Sequence, residues 1–335
     1  FKQKTAYEIM PSLVGSEMCI RDRFCSIVRY FLTVTTMPNN QIYGVMPAVL
    51  TPLDGQLRPN VELWIDHCQS LFDEGCHGLA ILGTTSEANS LSVTERLQLL
   101  DAIGESNIEG TQLVPGTGCC AIPDTIELTR RAFELGSAAV LMLPPFYYKP
   151  ASIEGLTAAY SAVIEEENEP TLKVLLYHIP QNTGVPITLE LIASLLERFP
   201  DNIVGIKDSS GDFDNIKQIC TTFPHLSVFS GSDSLLLETL RIGGAGSITA
   251  CNNICAPTSI DVYNHQNSDL ADKKQTKLTD IRSTIQQFPL VETLKEIKAR
   301  RTEDSGWRRV RPPLLPLSNT TNNDLTQALH AIDFQ

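Results

Sequence analysis

The sequence predicts an α/β chain folded as a (β/α)₈ barrel, the TIM-barrel architecture, with a small C-terminal helical appendage. Three observations carry that expectation. From residue 44 onward short apolar runs alternate with longer amphipathic stretches; eight such units fit into about 225 residues, near the ~250 residues usual for a closed barrel; and reactive residues gather where the apolar runs end.

The runs 44–50, 78–82, 112–115, 138–143, 173–177, 203–207, 227–230 and 246–250 read as strands. Continuous apolar runs without polar alternation suit parallel strands buried on both faces. The stretches 60–74, 92–107, 123–135, 153–166, 188–198, 212–222, 234–242 and 257–266 read as the intervening helices. The structural competitor is an open doubly wound sheet. Its dinucleotide version expects GxGxxG after the first strand, where this chain has Thr51-Pro-Leu-Asp-Gly55.

The barrel is expected over 42–266 and a C-terminal helical region over 267–335. Within that region 270–301 is helical in pattern, 323–332 offers one more helix, and 307–316 is a Pro- and Arg-rich connection that breaks the periodicity. Residues 1–36 read as a non-native extension, with Met37 the expected start. They hold five of 26 basic but only three of 39 acidic residues, and 27–34 is interrupted by Arg29 and Tyr30, unlike a signal peptide.

Beyond residue 36 the formal charge is −15, from 21 basic and 36 acidic residues. A net acidic surface repels nucleic acid and anionic lipid, so neither is an expected partner. No apolar run of membrane-spanning length follows Met37. The nine cysteines form no CxxC pair, and neither Cys119–Cys120 nor Cys251–Cys255 has a histidine nearby for a zinc set. Unpaired thiols in a reducing, cytoplasmic compartment are expected, with no metal and no cofactor.

Barrel active sites gather at the C-terminal ends of the strands. There the chain places Gly83-Thr84-Thr85-Ser86-Glu87, Gly116-Thr117-Gly118, Pro145-Phe146-Tyr147, Tyr177-His178-Ile179-Pro180, Lys207-Asp208-Ser209-Ser210, Gly231-Ser232-Asp233 and Gly246-Ser247-Ile248-Thr249. Lys207 closes the apolar run Ile203-Val-Gly-Ile206. In a dry site desolvation disfavours its charged form and exposes a nucleophilic amine. The alternative is a lysine that snorkels or pairs with Asp208. Tyr177 ends the preceding strand, where its phenol is suited to shuttle a proton; it also reads as a packing aromatic at the barrel top. Thr84 and Thr85 offer hydroxyls and backbone donors to a carboxylate, or simply a turn. Glu87 reads as a group behind the pocket. His67 and His77 read as packing or surface histidines, not ligands.

These motifs resemble the pyruvate-dependent aldolase family that contains dihydrodipicolinate synthase and N-acetylneuraminate lyase, and the likeness runs from about 44 to 316. The family's Gly-Thr-Thr-Gly-Glu stands here as Gly83-Thr84-Thr85-Ser86-Glu87, and its Tyr-x-x-Pro as Tyr177-His178-Ile179-Pro180. Its Schiff-base stretch is Gly205-Ile206-Lys207-Asp208. The resemblance implies Lys207 as the imine lysine, Tyr177 as the proton-transfer phenol, Thr84 in its relay, and Thr85 with Thr84 on the pyruvate carboxylate. It implies Tyr147 as a relay tyrosine given to a neighbouring subunit, in a dimer or tetramer. Ile248 would lend a carbonyl near the iminium, with Gly231 lining the site.

Two departures bear on substrate. Where dihydrodipicolinate synthase has an arginine two residues after the motif proline, this chain has Asn182, which loses a bidentate cation. Ser86 replaces the motif glycine and is expected at the pocket rim, near the second substrate. The expected activity is therefore an aldolase or lyase of 4-hydroxy-2-oxo acids. Dihydrodipicolinate synthase, a sugar-acid dehydratase and a silent 2-oxo-acid-binding barrel are the alternatives.

Overall fold

The computed structural model describes residues 42–334; the expectation for residues 1–36 lies outside them. Six parallel strands form one sheet: β1 Gly44–Pro47, β2 Val140–Met142, β3 Val174–His178, β4 Ile203–Asp208, β5 Ser227–Ser230 and β6 Gly246–Thr249, in the order β1-β6-β5-β4-β3-β2. The runs expected as the second and third strands bridge the gap between β1 and β2. Ala80 pairs with Ala48, Leu79 with Leu113 and Gly116 with Leu141, each in parallel. Their ladder includes Ala80 N–H to the Pro47 carbonyl at 2.9 Å, Val114 to Leu79 at 2.8 Å and Thr117 to Leu141 at 3.0 Å. The expected eight-stranded ring is present, with two of its positions reduced to bridges. Leu82, at φ 56°, turns the first of those runs out of strand geometry.

The barrel helices are α1 Val61–Asp73, α2 Val93–Gly104, α3 Ile122–Glu134, α4 Ile153–Glu167, α5 Leu189–Arg198, α6 Phe213–Thr222, α7 Leu236–Arg241 and α8 Asn252–Asn264. Local chemistry fixes several starts. Asn60, Ser152, Thr188 and Asp212 cap the first-turn N–H groups of α1, α4, α5 and α6, and Ser92 with Glu95 forms a capping box on α2. Helix α8 begins at Asn252 rather than at 257. Pro257 lies inside it, and the helix absorbs the ring by a kink at Cys255, φ −132°.

The stretch expected to be helical over 270–301 is two helices, α9 Ala271–Ile285 and α10 Leu290–Thr302, with Pro289 as the cap between them. A single 3-10 turn, Ser305–Arg308, leads to the irregular connection, and α11 Asn319–Ala331 ends the chain's helical part.

Side chains sort into two layers. Met46, Ala80, Leu141, Leu175, Phe229 and Ile248 fill the barrel interior, while Val174, Leu176, Ile206 and Val228 face outward onto Leu156, Leu191 and Ile219 of the helices. Each fully buried aliphatic contributes roughly 1.5–3 kcal/mol. The appendage has its own core, in which Trp307, Leu278, Leu294 and Ile297 pack with Val45 and Leu50 of the barrel. Among the described residues no helix is long and apolar enough to cross a membrane.

Candidate active site

Strand β4 brings Lys207 to the barrel interior through an irregularity in pairing. Val174 pairs with Ile203 but Leu175 pairs with Gly205, so Val204 is skipped. An extra residue of this kind re-phases a strand. Ile203 and Ile206 thereby both reach the outer layer, and Lys207 falls in register between Tyr177 and Phe229, two interior residues. Gly205 makes this possible, since a Cβ there would lie 2.1 Å from the Ser227 carbonyl oxygen and 2.8 Å from Leu175 Cδ2.

Lys207 is 4% exposed, and its Nζ stands 4.3 Å from the centroid of the Tyr177 ring, within cation–π range. Asp208, the alternative partner, is occupied elsewhere. Its carboxylate accepts from Ser210 N–H and Oγ at 2.8 and 2.6 Å and from Asn215 Nδ2 at 2.6 Å.

The phenol of Tyr177, itself 3% exposed, lies 3.2 Å from Thr84 Oγ1. Thr84 sits on a tight turn in which Ser86 N–H and Ala88 N–H donate to the Gly83 carbonyl and Glu87 N–H donates to that of Thr84. Thr85 beside it is buried. Lysine amine, phenol and threonine hydroxyl are therefore contiguous, on three different strand ends.

Ser86 does not stand at the rim where its sequence position suggested. It is fully buried, its Oγ donating to the Val49 carbonyl at 2.5 Å and accepting from Gly83 N–H at 3.2 Å. With both hydrogen-bonding roles used by backbone, it braces the turn from below. Gly231 also belongs to the scaffold. A Cβ on it would lie 2.1 Å from Ser209 Oγ, so glycine lets the β5 and β4 ends approach.

Ile248 is fully buried in the barrel interior on β6. Asn182 is exposed on the single turn Pro180–Thr183 that follows β3. Tyr147 is 74% exposed and packs edge-on against Tyr148 at 5.2 Å. His178 Nδ1 accepts from Ile187 N–H at 3.0 Å, and burial holds its pKa below the ordinary value against the opposing pull of Asp208 and Asp212. It anchors the loop after β3.

Sequence reasoning missed Lys149, whose Nζ donates to the Thr183 carbonyl at 2.9 Å and so sets a cation one residue from Asn182. Adjacency of β2 and β3 in the sheet brings the two loops together. It also missed Lys295, which is wholly buried against the Thr84 turn. Cys119 accepts from Arg96 Nη1 at 2.9 Å, and burial raises its pKa.

A (β/α)₈ barrel with a buried lysine and phenol at its strand ends defines a class I, Schiff-base-forming carbon–carbon lyase. Comparison with known proteins agrees. Residues 41–332 match the model of the dihydrodipicolinate synthetase family, and the chain belongs to that family. An uncharacterized DapA-like lyase of Chloroflexus aurantiacus is 38% identical over 279 residues, 82% of this chain and 92% of that protein. The dihydrodipicolinate synthase of Agrobacterium tumefaciens superposes with a TM-score of 0.81 at 26% identity, covering 87% of this chain and 99% of the other. YagE, a prophage protein of E. coli K12 solved in complex with pyruvate, gives 0.79 at 25% identity, over 88% and 99%.

Proposed function

We propose that this lyase cleaves or forms 4-hydroxy-2-oxo acids, with pyruvate as product or donor. The observation that carries the reading is the contact of Lys207 Nζ with the Tyr177 ring at 4.3 Å, with Thr84 Oγ1 on the phenol at 3.2 Å. The pyruvate bound in YagE supports the 2-oxo acid half.

The amine of Lys207 adds to the C2 ketone, and loss of water gives an iminium. Tyr177 takes the proton of the C4 hydroxyl, the C3–C4 bond breaks, and its electron pair moves into the iminium as an enamine while the aldehyde leaves. Protonation at C3 and hydrolysis return pyruvate and free lysine. Thr84 orients the phenol and, with Thr85, holds the carboxylate. The carbonyl of Ile248 lies at the iminium, and no metal or cofactor enters the cycle. Tyr147 serves the Thr84–Tyr177 pair of a neighbouring subunit, in a dimer or tetramer; its exposure together with that of Tyr148 packed against it supports this, because contiguous exposed apolar patches mark interaction surfaces.

Asn182 supports the 4-hydroxy-2-oxo acid over the substrate of dihydrodipicolinate synthase, the activity named for the Agrobacterium protein, because a neutral amide replaces that enzyme's bidentate arginine. Lys149 beside it leaves a point charge suited to one carboxylate.

The test is incubation with pyruvate and borohydride, followed by a panel of substrates. One reduced pyruvate on Lys207, and cleavage of 4-hydroxy-2-oxoglutarate faster than of 2-keto-3-deoxy sugar acids or N-acetylneuraminate, are expected. Condensation with aspartate semialdehyde far above all of these would return the assignment to the synthase. Loss of activity in chelator, restored by a divalent ion, would replace the imine mechanism.

A further inference from the structure

Lys295 on α10 is fully buried, and its Nζ donates to the Glu87 carboxylate and to the Arg309 carbonyl at 2.8 Å. The other carboxylate oxygen of Glu87 accepts from Arg311 N–H at 2.8 Å. Glu87 itself takes a left-handed conformation, φ 58°, that favours glycine, and its N–H donates to the Thr84 carbonyl at 3.1 Å. A continuous path thus runs from the C-terminal helices through the Glu87 side chain and the Thr84 turn to the Tyr177 hydroxyl.

Stability alone is a poor reason for this ion pair. Two charges removed from water recover little against a well-packed apolar pair of the same volume, whereas removing one partner strands the other. What the pair supplies that an apolar contact lacks is a fixed direction, since two donors on opposite carboxylate oxygens leave Glu87 one orientation.

We propose that Lys295 and Glu87 are positioning residues, through which the C-terminal appendage holds Thr84 in line with the Tyr177 hydroxyl for proton transfer. The inference rests on the reading of Lys207 and Tyr177 given above, and it assigns imine formation and turnover to different supports. Lys207 is held by the β4 ladder, and Thr84 is held from outside the barrel.

The experiment compares wild type, Lys295→Met, Glu87→Gln and the double variant Glu87→Gln/Lys295→Met by melting temperature, pyruvate trapping at Lys207, kcat and KM. Lys295→Met is expected still to trap pyruvate at Lys207, with a loss of at most a fewfold because the same turn touches the carboxylate, while kcat falls about 10- to 100-fold, the cost of a small misplacement, and KM rises by a smaller factor than kcat falls. The double variant, with no stranded charge, is expected to regain melting temperature but not kcat. Should the single variants fail to fold, the double decides by the same criterion. Recovery of wild-type kcat in the double, or trapping that falls in step with kcat, would overturn the proposal. Wild-type protein that does not trap at all overturns instead the reading of Lys207, and the tie with it.

Discussion

The two walls of this barrel hold their reactive groups by different means. On one wall β2, β3, β4 and β5 form a continuous parallel ladder broken only at the skipped Val204, and Tyr177 and Lys207 sit in register on neighbouring strands. On the other wall the runs around Ala80 and Val114 keep only isolated bridges. Side chains from outside make up the difference there. Arg96 of α2 donates to the Gly116 carbonyl at 2.7 Å, and Lys295 and Arg311 reach Glu87 and Glu95 from the C-terminal segment. A ladder sets a side chain to within a register step; a tie sets only the loop it grips. The covalent chemistry stands on the first kind of support and the threonine of the relay on the second.

The largest effect should come from the laddered wall. Lys207→Ala is expected to lower turnover on the order of 10⁶-fold, as removal of a covalent nucleophile does, and to abolish borohydride trapping without loss of folded protein. Residual trapping elsewhere on the chain would break the assignment. Next comes Tyr177→Phe, which keeps the ring over Lys207 and deletes the hydroxyl that meets Thr84. Loss of a positioned proton-transfer group predicts a fall in kcat of roughly 10²- to 10⁴-fold, with the trapped adduct still forming. A variant that traps and turns over as wild type does would place Tyr177 in packing alone, and equal loss of adduct and turnover would move its hydroxyl to imine formation.

The same contrast governs what could be read before the structure. The ladder side was legible because an apolar run ending in lysine or tyrosine marks a strand end, and β4 and β5 begin and end within a residue of expectation. The skipped Val204 was not, since a pairing irregularity between apolar residues leaves no mark in composition. The tied side left less of a mark. Lys295 and Glu296 stand among charged residues of α10, yet both are buried, Lys295 against Glu87 far along the chain and Glu296 under the nearby Arg300 and Arg308. Ser86, which the replaced motif glycine puts at the rim, turns its hydroxyl inward, where two backbone groups use it.

A smaller effect tests the mouth between β2 and β3. If Lys149 supplies the charge that Asn182 lacks, Lys149→Met should raise KM about tenfold for a second substrate bearing a distal carboxylate, the ~1.4 kcal/mol of one charge-assisted contact. Uncharged aldehydes should be indifferent. A KM that rises equally for both would mean that Lys149 merely holds the Thr183 carbonyl and shapes the turn.

The smallest effect belongs to the outermost tie. Arg311 grips the Glu95 carboxylate with both terminal nitrogens, Nη1 at 2.8 Å, and also donates to the Ser90 and Leu57 carbonyls at 2.6 and 2.8 Å. Its guanidinium, aided by Ser92 N–H, holds the Glu95 carboxyl down at about 2, below the ordinary 4.5. Because the folded value is depressed, the pair's contribution is complete above the unfolded value and is lost as acid approaches the folded one. Arg311→Met should therefore cost a constant increment of stability above about pH 5, on the order of 1 kcal/mol for a partly exposed pair. The gap between variant and wild type should narrow between about 4.5 and about 2, leaving the share due to the two carbonyl contacts. Thermal melts across that range measure it. A gap that stays flat throughout would remove Glu95 as the partner that matters, and would leave the irregular wall tied by Glu87 and Arg96.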